Sequence, residues 1–87
     1  MAPPWKVVLN QDCVDEILRA PKRHRERIIA DLKRLSEGQM REGDVIEKDE
    51  TDRELQVGRI GNWIVTWWFD TPVDELRIVR LERIGLK

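Results

Sequence analysis

The sequence is marked first by its shortages. Its 87 residues hold no tyrosine, one cysteine, one histidine and one phenylalanine. A single cysteine, Cys13, excludes an internal disulfide and fits a reducing compartment. With no histidine near it in sequence and no ligand spacing around it, Cys13 reads as a structural thiol. The longest apolar run, Trp63 to Phe69, is broken by Thr66 and falls far short of the roughly 20 residues that cross a bilayer. No membrane partner is expected. The opening "MAPPWKVVLN" has one lysine and a short apolar run, unlike a secretory signal, and the expected location is the cytoplasm. No Gly-rich phosphate loop, zinc spacing, Ser-His-Asp pattern or repeat is found, so neither a cofactor nor a metal is expected. A basic excess is missing as well. Sixteen Lys/Arg face 17 Asp/Glu, whereas proteins that hold nucleic-acid backbones usually carry clear positive charge.

What is present is a soluble globular composition, 40% hydrophobic and 38% charged. At this length the chain supports one core, so residues 1–87 are expected to form a single domain. The charge is unevenly placed. Arg19 to Arg34 carries seven basic residues against two acidic, and Ser36 to Gln56 carries three against eight. Any contact with a nucleic-acid backbone is therefore expected from a local patch.

"WKVVL" (Trp5 to Leu9) reads as a first strand. Val14, Ile17 and Leu18 then recur at helical spacing, with Asp12 and Asp15 resembling a capping box, so a helix is predicted over about Asp12 to Arg19. Pro21 suits the first turn of a second helix, lined by Ile28, Ile29, Leu32 and Leu35 and stopped at Gly38. Lys22/Glu26 and Arg27/Asp31 form i,i+4 pairs on its remaining faces. The acidic stretch Gly43 to Asp52 reads mostly as loop. "RELQVG" and "WIVTWWF" then form a hairpin across a connection containing Gly61-Asn62, and "ELRIVRLER" supplies the last strand after the turn "DTPVD". The predicted fold is α+β in the order β-α-α-β-β-β, with a helical hairpin packed on one face of a mostly antiparallel four-stranded sheet.

Alternation along strands assigns the faces. Trp63, Val65, Trp67 and Phe69 share one side and are expected in the core with Leu55, Val57, Val7, Leu9, Val79 and Leu81, against Ile28, Leu32 and Leu35. Ile64, Trp68 and Ile78 are expected on the uncovered side among Glu54, Gln56, Arg80 and Glu82, an apolar patch with a polar rim. Such a patch suits a protein partner or a homodimer, and Trp68 also suits stacking on a nucleic-acid base. His24, four residues before Ile28, is expected to cap the end of the core.

A first strand, a helical hairpin containing "APKRHRERIIADLKRL", then "RELQVG" and a long aromatic strand ending in an acid and a turn: over nearly the whole chain this combination resembles the RelE/ParE toxin superfamily of type II toxin–antitoxin systems. It is most similar to the RelE and HigB branches, because the second helix is short for a ParE-type gyrase inhibitor. The resemblance implies a small toxin, neutralised by a cognate antitoxin wrapped around it, that enters the ribosome and cleaves mRNA without a metal. Such cleavage needs groups that take the 2′-hydroxyl proton, stabilise the phosphorane and protonate the leaving oxygen. Arg59, Arg80 and Arg83 are the candidates for phosphate contact, and Glu54 or Glu82 for the base. The basic helix residues Lys22, Arg23, Arg25, Arg27, Lys33 and Arg34 are the candidates for RNA contact, with a solvated amphipathic face as the alternative.

The chain also differs from the family. Glu54 and Gln56 stand where RelE-like toxins carry basic residues, Trp63-Ile64 stands where an aromatic is followed by arginine, and the tail "RLERIGLK" has Arg80, Arg83 and Lys87 but no tyrosine. These differences motivate a second reading: a module on the same scaffold that binds a protein through Ile64, Trp68 and Ile78 and does no chemistry. A gyrase-directed poison is the third.

Overall fold

The computed structural model describes residues 4–38 and 42–85, so Lys87 lies outside the described residues. The elements run β1 (Lys6–Leu9), α1 (Gln11–Arg19), α2 (Lys22–Ser36), β2 (Val45–Lys48), β3 (Glu54–Ile60), β4 (Trp63–Asp70) and β5 (Glu75–Arg83). Asn10 starts α1 by accepting the Cys13 amide at 2.9 Å, two residues ahead of the expected Asp12. Pro21 occupies the cap position of α2, and Gly38, at φ +87°, follows its end as anticipated. The helical hairpin lies on one face of the sheet. Among the described residues, no helix is long and apolar enough to cross a membrane.

The sheet itself differs from the expectation in two ways. It has five strands in the order β1-β5-β4-β3-β2, and β1 runs parallel to β5, so it is mixed. The additional strand, β2, comes from the acidic stretch read as loop. Val45 and Ile46 supply the β-branched residues, Val45 pairs with Val57, and Lys48 pairs with Glu54. Asp49 closes this hairpin by accepting hydrogen bonds from the Thr51 hydroxyl (2.6 Å), the Thr51 amide (2.8 Å) and the Arg53 amide (3.0 Å). Led by the Thr51 hydroxyl, these bonds hold the Asp49 carboxyl below its ordinary range. The acidic segment Asp49 to Asp52 therefore marks a turn. The β3–β4 hairpin turns on Gly61-Asn62, with Gly61 at φ +60° in the first central position, as a type II′ turn requires.

Face assignments also shift. Trp63, Val65 and Trp67 point toward the helices as expected and are buried with Ile17, Ile28, Leu32 and Leu35. Phe69 packs against this core, edge-on to Trp5 with ring centroids 4.9 Å apart. In β3, however, Gln56 lies opposite Trp67 and Gly58 opposite Val65, so Leu55 and Val57 face away from the helices. Gly58 explains why. A Cβ there would stand 3.2 Å from the Trp67 ring and 3.2 Å from the Gly43 backbone, so the helix side of β3 needs its smallest residue over the tryptophan. Ile29 and Leu18, expected on the apolar helix faces, are more than half exposed.

A β-bulge re-phases β5. Thr66 pairs with Arg80 and Trp67 with Ile78, leaving Val79 as the extra residue. Leu76, Ile78 and Leu81 consequently share the helix side, and Ile78, expected on the uncovered face, is 1% exposed. Asp31, expected on an outer face of α2, is buried against the Gly61 turn.

Candidate functional site

The uncovered face is built largely from alternate residues of four strands. Val45 and Glu47 of β2, Leu55, Val57 and Arg59 of β3, Ile64, Thr66 and Trp68 of β4, and Arg77, Arg80 and Glu82 of β5 share it by register. It divides into two regions. At one end Val45, Val57, Ile64 and Ile84 line an apolar groove of about 410 Å³, edged by Asp44 and Arg59. At the other, Trp68 is half-buried beneath cations: the Arg53 guanidinium sits 4.0 Å from its ring centroid and that of Arg77 sits 5.7 Å away.

The arginines here are held by carboxylates. Arg53 pairs with Asp49 at 3.3 Å, and Arg77 reaches Asp70 at 3.0 Å and Glu75 at 2.7 Å. Arg80 lies between Glu47 at 3.2 Å and Glu82 at 3.5 Å. Arg59 bonds instead to the Gly61 carbonyl, 3.2 Å from its Nε. A phosphate approaching Arg77 or Arg80 must therefore compete with carboxylates already in place.

The sequence-predicted phosphate set is not gathered on one surface. Arg59 and Arg80 share the uncovered face, on strands separated by β4 and hence roughly 10 Å apart. Arg83 pairs with Trp63 and belongs to the helix side, and Glu54 precedes Leu55 and belongs there as well. Of the two candidate bases only Glu82 shares the face with Arg59 and Arg80. The predicted partner-binding trio divides similarly: Ile64 is exposed on the groove, Trp68 is capped by Arg53, and Ile78 is in the core. Sequence reasoning misses Val45, Val57 and Ile84 in the groove, because it takes β2 for loop and exchanges the faces of β3. The signal available is Gly58, whose missing side chain leaves room for the Trp67 ring on the helix side of β3.

The six basic residues of α2 fall into stripes, as 100° per residue dictates. Arg23, Arg27 and Arg34 run down one flank, and Lys22 and Lys33 down the other with Glu26 and Ile29. Arg25 turns back to the Ala20 carbonyl at 3.4 Å. Buried Asp31 organises the arginine flank, bonding Arg34 and lying 3.3 Å from the Arg27 Nε. His24 is half-buried and borders a pocket of about 270 Å³ with Arg23, Arg27, Asn62 and Trp63. Cys13 is buried, its Sγ 3.6 Å from the Ile78 carbonyl, and burial pushes its thiol up to about 11. Among the described residues, no three His, Cys, Asp or Glu side chains converge as metal ligands would.

With this geometry in place, comparison with known proteins is informative at the level of fold. No family model matches the sequence, and no curated protein matches it. Among solved structures, the chain is similar to one in the crystal structure of the archaeal RelE–RelB complex from Pyrococcus horikoshii OT3, with a TM-score of 0.72 and 22% identity. The match covers 98% of this chain and 100% of that one. The chain has a RelE-like fold.

Proposed function

We propose that the protein is a RelE-family toxin of a toxin–antitoxin system, restrained by a cognate antitoxin and inhibiting translation by ribosome-dependent mRNA cleavage. The observation that carries this reading is the match, over 98% of this chain and 100% of that one, to a chain from a RelE–RelB complex. On this reading Arg59 and Arg80 contact the scissile phosphate on the uncovered face, and Glu82 accepts the 2′-hydroxyl proton. The flank Arg23, Arg27 and Arg34, with Lys22, Arg25 and Lys33, contacts ribosomal RNA. Engaging Arg80 requires release of Glu47 and Glu82, so message binding is coupled to breaking these exposed pairs, a modest cost of about 0–1 kcal/mol each.

Induced expression of the chain in a bacterial host is expected to arrest growth, and an Arg59→Ala/Arg80→Ala double variant is expected to lose the arrest while remaining folded. Full arrest by the double variant would contradict the assignment of these two arginines.

One observation favours a second reading. The uncovered face carries an apolar groove at Ile64, and most of its arginines are neutralised in place. A protein-binding module, using this groove for a partner or for a second copy of the chain, has use for such a surface. Its discriminating variant is Ile64→Asp, considered below.

A further inference from the structure

A cationic concavity lies on the opposite face of the sheet from the proposed chemistry. It sits where the first turns of α2 meet the β3–β4 turn and is lined by Arg23, His24, Arg27, Asn62 and Trp63. Arg83 stands beside it, since it is the register partner of Trp63 and shares its face. Of the arginines here, Arg27 is paired with Asp31, but Arg23 and Arg83 are not compensated. Among the described residues, no carboxylate lies within ion-pair distance of Arg23 or Arg83, whereas Arg53 has one and Arg77 and Arg80 have two each. The local sequence increases the effect. α2 opens with Lys22, Arg23, His24 and Arg25, has no acid in its first turn and has no side-chain cap, so three cations crowd the positive end of a helix dipole.

Natural helices place acids at this end, and an unrelieved cluster of this kind is destabilising unless an anion occupies it. The buried Nδ1 of His24 also finds no hydrogen-bond partner among the described residues, a vacancy beside the same pocket. At about 270 Å³ the pocket is just below the range of roughly 300–1,000 Å³ typical of drug-sized ligands, a size that suits a phosphate group with part of its ester. We propose that this pocket is a phosphate-binding site. Arg23 and Arg83 supply the charge-assisted hydrogen bonds, Asn62 donates from its side-chain amide, and Arg27 adds charge while held by Asp31. The site does not depend on chemistry at the uncovered face. Its ligand is a phosphate ester, either a phosphate of an RNA strand or that of a free nucleotide.

The test titrates the isotopically labelled full chain with inorganic phosphate, adenosine monophosphate and a short single-stranded RNA, following the Asn62 side-chain amide and the Trp63 indole N–H by NMR. Saturable shifts of both signals are expected. Arg23→Ala and Arg83→Ala are each expected to weaken binding about tenfold, the worth of one charge-assisted bond. Asn62→Asp, which places a carboxylate in the pocket at an exposed turn position, is expected to abolish it. Lys48→Ala, equal in charge change but at the far end of β3 from the Gly61-Asn62 turn, should leave binding within about twofold. RNA binding that is tighter than nucleotide binding and falls steeply with salt identifies a strand as the ligand, and equal binding of all three probes identifies a free phosphate ester. Absence of saturable shifts with every probe, or unchanged binding in the folded Arg23→Ala/Arg83→Ala variant, would overturn the site.

Discussion

Cys13 illustrates how much of a side chain's chemistry its surroundings decide. It lies on the inner face of α1 with its sulfur toward the Ile78 carbonyl, and burial outweighs the Asn10 hydrogen bond to lift its thiol from 9.0 to about 11. The negative charges of Asp12 and Glu16 act in the same direction. In the unfolded chain the thiol ionises near its ordinary value, and in the fold it stays protonated. Its contribution to stability is therefore complete below about pH 9 and lost as pH climbs toward about 11. The chain has no tyrosine to titrate in that window, so Cys13 and the lysines are the groups to separate. Urea unfolding at a series of alkaline pH values is expected to show a steeper stability loss for the wild type than for Cys13→Ala between pH 9 and 11. Parallel profiles would show that the thiol ionises alike in both states. Trp68 shows the same dependence on surroundings. Its ring reads as a stacking platform from sequence, but Arg53 covers it.

At the scale of elements, the long amphipathic segments are legible and the phase of the strands is not. The two helices follow from their apolar spacing, and β4 and β5 follow from β-branched and aromatic runs, because these signals are local. β2 is not legible as a strand of four exposed residues, since it is made by pairing with β3 and by the Asp49 turn. Nor does local sequence reveal the faces of β3 and β5. Simple alternation puts Leu55 and Val57 inward, but the close approach of Gly43, Gly58 and Trp67 reverses it. In β5 one extra residue, Val79, brings both Ile78 and Leu81 to the core. The candidate site inherits these errors: Arg59, Arg80 and Glu82 remain together, whereas Arg83, Glu54 and Ile78 go to the other side. Paired variants test the phase directly. Ile78→Asp buries an unpaired carboxylate and is expected to cost more than about 4 kcal/mol by chemical denaturation, enough to unfold a domain of this size. Ile64→Asp lies on the exposed groove and is expected to cost no more than about 1 kcal/mol. Equal losses would contradict the bulge. If the folded Ile64→Asp chain also fails to form a dimer or complex that the wild type forms, the groove is the binding surface of the second reading.

The whole molecule presents two sides whose charges are arranged differently. The uncovered side mixes arginines with carboxylates around an apolar groove, and the helix side carries a basic flank and a cationic pocket. Net charge near zero hides this division, which is why composition argues against nucleic acid while the surface permits it locally. The RelE-like architecture places both sides on one small fold, with the sheet as a platform and α2 carrying the basic flank. The most direct measurement of the central claim adds the purified chain to a cell-free translation reaction and maps mRNA ends by primer extension, with and without ribosomes. Cuts confined to translated message are predicted, and they should be lost when the Arg59→Ala/Arg80→Ala variant replaces the wild type. Intact message in the presence of demonstrably folded protein would contradict the toxin reading and move the function to the groove beside Ile64.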